Sequence, residues 1–204
     1  MNRKLTLMIC LATIIAIILG VLILTFDKPC DCECDCMVES IIEDTDNIIE
    51  ETVEETSNDT YPVPENRGFK SYMDYRCITS KSSKQYKLQN LYAKTGDYGI
   101  RTVNDRFCIA VGSYFTSDIG QYLDLVLENG TVIQCVLADL KSDAHTDKNN
   151  IITMHNGCVS EFVVHTESLD SLAKKMGDIS YCNENWKSPV KEVILYNENV
   201  FNEN

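Results

Sequence analysis

The pattern of apolar and polar positions divides the chain into three unlike parts. Residues 5–26 are apolar or hydroxylic and carry no charged side chain, and at about 1.5 Å per residue a helix of that length spans a hydrocarbon core of about 30 Å. Residues 27–66 hold only scattered apolar positions, Val38, Ile41, Ile48, Ile49 and Val53 among them. This approximates a heptad stripe that lasts barely two heptads, too short for a coiled coil. From residue 67 onward the period shortens to two. Leu123, Leu125 and Leu127 alternate on one side of Asn129-Gly130, and Val132, Ile133, Cys135 and Val136 divide between two faces on the other. Asn-Gly supplies the positive φ angles of a type I′ turn, so two adjacent antiparallel strands are predicted there.

Other segments follow from the same signals. Strands are predicted over 69–79, 100–103, 107–111, 151–154, 158–164 and 190–196, with Asn104-Asp105-Arg106 turning a second hairpin. Residues 86–92 fit either period. One helix is predicted over 166–176, with Thr166 or Ser168 as its cap, an apolar stripe of Leu169, Leu172, Ala173 and Met176, and Gly177 at C′. Short strands interrupted by one helix make the domain mainly β, a small barrel over residues 67–197 with a polar tail at 198–204.

Charge changes this picture at one end only. The formal net charge is −13, yet 13 of the 31 acids fall between Pro29 and Asn66, a stretch without Lys or Arg. The remaining 18 acids balance the 18 basic residues. The acidity therefore belongs to residues 27–66, a self-repelling stalk. No basic patch serves for nucleic-acid binding. Arg3 and Lys4 precede the apolar segment and acids follow it, which places residues 1–4 in the cytoplasm and the rest outside, with 5–26 as a transmembrane anchor. A cleaved signal peptide is the alternative.

Candidate chemistry lies in two places. Cys30, Cys32, Cys34 and Cys36 alternate with Asp31, Glu33 and Asp35, so an extended chain presents four thiols on one face. They suit a soft-metal site, interchain disulfides in a homo-oligomer, or a solvated tether; single-residue spacing departs from the usual zinc pattern. In the domain, Asp139 stands where an apolar strand opens into the polar loop 141–150, a position for a catalytic carboxylate or for a loop cap. His145, His155 and His165 recur every ten residues, open to a metal triad or to one histidine, His145 or His155, that assists Asp139 as a proton relay or substrate donor. Tyr114 and Trp186 are able to stack on sugar rings or simply to line the wall. Cys77, Cys108, Cys135, Cys158 and Cys182 are an odd set. They fit reduced packing thiols, and a cysteine nucleophile has no flanking motif to support it. No cofactor is called for.

The order of elements over roughly residues 110–194 resembles the double-psi β-barrel of the rare lipoprotein A, three-aspartate and expansin-like group, which includes bacterial lytic transglycosylases. The matching pieces are Ala110-Val-Gly112-Ser, Asp118-Ile-Gly120-Gln, Leu127-Glu-Asn-Gly130, Val136-Leu-Ala-Asp139, Gly157-Cys-Val-Ser-Glu161-Phe-Val and Leu172-Ala-Lys-Lys-Met-Gly177. The resemblance implies a six-stranded barrel with one or two short helices. It also implies a peptidoglycan glycan as substrate, an acid at the end of the strand after the hairpin, Asp139, and a second acid past the loop, Glu161. The chain departs from the three-aspartate pattern at Gly112, where that group has its first aspartate, at Glu161, and in the loop after Asp139, which lacks glycines. A barrel that binds wall glycan or a partner protein without cutting is the second expectation.

Overall fold

The computed structural model describes residues 58–202. The apolar segment 5–26, the cysteine cluster 30–36 and most of the acidic stretch lie outside the described residues. Within them, nine strands form one connected sheet: β1 Asp59–Pro62, β2 Ser71–Asp74, β3 Lys94–Thr95, β4 Arg101–Val103, β5 Arg106–Val111, β6 Gln121–Leu127, β7 Val132–Leu140, β8 Glu161–Val164 and β9 Val190–Asn199. The domain is mainly β, as its period-two pattern predicts.

The hairpin of β6 and β7 is present in register, Leu123 opposite Cys135 and Leu125 opposite Ile133. Its turn differs from the one expected. Only Gly130 takes a positive φ, 83°. The Gly130 N–H donates to the Leu127 carbonyl and the Leu127 N–H to the Thr131 carbonyl, the bonding of a type I turn closed by a glycine bulge. The type I′ turn sits instead between β4 and β5, where Asn104 and Asp105 have φ of 48° and 61°.

β6 and β7 are covered on both faces. Cys135, Val136, Leu137 and Ala138 are consecutive and fully buried, as are Leu123, Leu125 and Leu127. Such runs belong to a sheet that is packed on two sides. On the face away from the leucines, Asp124 is 4 % exposed. Its carboxylate accepts from Arg106 at 2.6 Å and from the Tyr196 hydroxyl at 2.7 Å, while the guanidinium lies over the rings of Tyr122 and Tyr196. Two charges removed from water are tolerable there because each meets the other and the aromatic faces.

Local capping explains where the other elements stop. Asp74 accepts from the Arg76 and Thr166 backbone N–H groups, so the strand expected over 69–79 ends at Asp74 and turns. Residues 84–92 are helical, Lys84–Lys87 capped by Ser83 and continued by a wider turn, Leu88–Tyr92. Arg101 pins that turn to β4 through the Gln89 and Ala93 carbonyls, both at 2.7 Å. The helix expected over 166–176 begins only at Ser171, because the Asp170 carboxylate takes the N–H groups of Leu172 and Ala173 while His165 and Ser168 form their own turn. Gly177, φ 70°, ends it as expected.

Both boundaries shift outward. β1 lies in the segment assigned to the linker, yet it pairs with β9 from Asp59↔Leu195 to Pro62↔Glu192. β9 itself runs on to Asn199, and Val200 is 2 % exposed, so the expected polar tail is structured through Asn202.

Candidate functional site

β5 has strands on both edges at one residue. Ala110 is in register with Asp139 of β7 on one side and with Glu161 of β8 on the other. The two acids, 22 residues apart in sequence, are therefore separated by two inter-strand spacings, about 10 Å backbone to backbone. A register shift between Ile109 and Ala110 sets this alignment, as bulges next to sites commonly do.

A cavity of about 570 Å³ opens beside Glu161, lined by Ser71, Leu140, Lys141, Ser142, His145, Thr153, His155, Asn156 and Glu161. The volume suits a small ligand or part of a polymer. Three of the expected site residues, Glu161, His145 and His155, line it together. Asp139 is not among the lining residues and is half-buried. Burial pushes its carboxyl above the ordinary carboxylate range, against the Leu140 N–H and the Gln85 side chain, which favour the charged form.

The loop that walls the cavity is held by its own caps. The Asp147 carboxylate accepts from the Ile151 and Ile152 N–H groups at 2.7 and 2.9 Å, and Asn150 adopts φ 58°. These bonds use the donors that a strand over 151–154 would need, so only a single bridge, Thr146↔Thr153, remains of it. The loop also explains Gly112. A Cβ at that position would collide with the Asn150 carbonyl, so the first aspartate of the three-aspartate pattern has no room here. Next to it, Ser113 donates to Asp143 at 2.6 Å.

Two further expectations are corrected. Trp186, a candidate sugar platform, is 6 % exposed. It stacks on Phe162, ring centres 5.9 Å apart at 25°, and meets Phe107 edge-on at 5.3 Å, which makes it a core residue. Tyr114 is exposed but contacts Tyr61 and Phe115 and does not line the cavity. His165 bonds Ser168 at 2.7 Å on another part of the domain, and among the described residues no three His, Cys, Asp or Glu side chains gather as metal ligands. The five cysteines there are unpaired. Burial pushes the Cys108 thiol up to about 12 and Cys135 well above its ordinary value, which leaves both inert as nucleophiles.

The sequence pattern gave no hint of the cavity's floor. Lys141, at the exit of β7, is 8 % exposed. Its ammonium donates to Thr153 Oγ1 at 2.8 Å and Cys158 Sγ at 3.3 Å, and Cys158 is 3.1 Å from Ser71 Oγ. Only the fold brings residues 71, 141, 153 and 158 together; a lysine inside a polar loop reads as solvated until its neighbours are known.

Compared with family models, curated proteins and solved structures, the chain gives no match. The site's geometry is what bears on function.

Proposed function

We propose that the domain is a double-psi β-barrel that cleaves peptidoglycan glycan strands in the manner of a lytic transglycosylase, anchored to the membrane by residues 5–26 and held off it by the acidic stretch that precedes β1, residues 27–58. Strand order supports the barrel. The pairings run β2–β8–β5–β7–β6–β9, with β2∥β8 and β5∥β7 parallel and the others antiparallel. Numbered in chain order, those six strands fall as first, fifth, second, fourth, third and sixth. Moving every strand on by three places returns four of these five pairings and exchanges the two parallel pairs, and it carries the fifth, third with fourth, onto first with sixth. A barrel with two related crossovers requires this symmetry. The edge of β9 that a first-with-sixth pair would use is taken by β1, which leads into β2 through residues 63–70.

The observation that carries the activity is the placement of Asp139 and Glu161 on either side of Ala110. Glycosidic cleavage needs a proton delivered to the leaving oxygen, then withdrawn from the sugar hydroxyl that attacks in place of water. Glu161 has access to the cavity; Asp139 has the raised proton affinity of a general acid. His145 and His155 are within the same cavity to orient the sugar. The competing reading, a barrel that binds wall glycan or a partner without cutting it, draws on the missing carboxylate at Gly112. Incubating the full-length protein with purified sacculi separates the two. Soluble fragments that vanish with Asp139→Asn or Glu161→Gln support cleavage, whereas firm co-sedimentation without soluble product supports binding alone.

A further inference from the structure

We propose that the cavity holds a carboxylate of its glycan substrate on the Lys141 ammonium; this deepens the reading of the site as a wall-glycan cleft and rests on it. A buried lysine is ordinarily paired with an anion or fully hydrogen-bonded. Lys141 is neither. Among the described residues it enters no ion pair, and only two acceptors, Thr153 Oγ1 and Cys158 Sγ, take its three N–H bonds. Both are neutral, and Ser71, which touches Cys158, adds no charge. Among the described residues the third N–H has no acceptor, and Lys141 lines the cavity.

The fold shows how it treats a lysine that is purely structural. Lys70 is 1 % exposed, and its Nζ donates to three carbonyls, Gly68, Trp186 and Ser188, at 2.9, 2.6 and 3.0 Å. Lys141 is built like Lys70 with one acceptor omitted on the cavity side. A bound anion completes it.

The charge of that anion follows from the same walls. Glu161 lines the same cavity without pairing to Lys141, so each further negative charge on the anion adds repulsion from that carboxylate, and a monoanion such as a carboxylate meets the least. In wall glycan, carboxylates come from the lactyl group of N-acetylmuramic acid in bare strands or from the stem peptide in substituted ones. Both present the same group to Lys141.

Titration calorimetry on the full-length protein in detergent micelles compares three probes. These are the bare tetrasaccharide alternating N-acetylglucosamine with N-acetylmuramic acid, the same glycan carrying stem peptides, and the neutral tetramer of N-acetylglucosamine. At least one acidic probe is expected to bind about tenfold or more tighter than the neutral one, and the stronger of the two identifies the source. Lys141→Gln should abolish the preference and Lys141→Arg should keep part of it, with unchanged thermal unfolding showing that both fold. Equal affinity for acidic and neutral probes, no binding of any, or a preference that survives Lys141→Gln would overturn the inference. If sacculi are still cleaved in that event, the glycan-cleaving reading stands without it; if they are not, that reading falls separately.

Discussion

Lys70 and Lys141 are two buried ammonium groups of one small domain, and they differ in how completely the protein satisfies them. Lys70 gives all its hydrogens to backbone carbonyls and does not line the cavity beside Glu161. Lys141 gives two and faces a cavity. The same contrast separates the acids. Asp74, with the Arg76 guanidinium and two backbone N–H groups around it, is held well below the usual carboxylate range, while Asp139 is pushed above it by burial. Lys70 and Asp74 are satisfied by the fold itself, whereas Lys141 keeps one N–H for a ligand and the charged form of Asp139 is disfavoured by its burial.

The comparison breaks most visibly at Lys70. Replacing it as Lys70→Met strands three backbone carbonyls, one buried and two partly buried, and a loss of about 3–5 kcal/mol is expected, a fall of more than about 10 °C in melting temperature by calorimetry. Gly112→Asp comes next. The side chain must displace the Asn150 carbonyl and with it the loop, costing about 2–3 kcal/mol, measured as a shift of the urea midpoint. Lys141→Met should cost under about 1.5 kcal/mol because only two weak neutral partners lose a donor. A loss as large as that of Lys70→Met would erase the distinction between the two lysines.

The acids sharpen the same contrast through pH. The folded-state pKa of Asp74 is depressed, so its stabilisation is present above the ordinary carboxylate pKa of about 4 and disappears as pH falls below it. Asp74→Asn should cost about 1 kcal/mol at pH 7 and flatten the acid limb of the stability curve. Asp139 has the opposite sign. Its raised pKa favours folding while it is protonated, an advantage lost as pH rises through the folded-state value, so the ionised group is a burden at pH 7. Asp139→Asn should then leave stability unchanged or raise it by up to about 1 kcal/mol while activity disappears. A destabilised Asp139→Asn would mark that residue as a loop cap.

The β architecture was legible because alternation and turn dipeptides are local. The Leu123–Leu127 stripe and the Ile133–Val136 run fix which residues pair, and they do pair. Turn type was not legible at Asn129-Gly130, since whether Asn129 joins Gly130 at positive φ depends on the bulge that Thr131 makes. Asp139 was found from the end of an apolar strand, and Glu161 from the resemblance to the double-psi barrel group alone. Their common neighbour, Ala110, was hidden because strand order is a property of non-local pairing. Trp186 was misread for a related reason: an aromatic residue that packs on Phe107 and Phe162 looks the same in sequence as one that stacks on sugar. Lys141 left no local signal at all, because its partners lie 12 and 17 residues further on.

Mass spectrometry of the soluble material released from sacculi by the full-length protein tests the central claim most directly. Fragments ending in an anhydro sugar, lighter by one water than a hydrolysed end, are expected from the wild type and should be lost in Glu161→Gln. Release that is undiminished when both Asp139 and Glu161 are converted to amides, or no release by the wild type, would contradict the account.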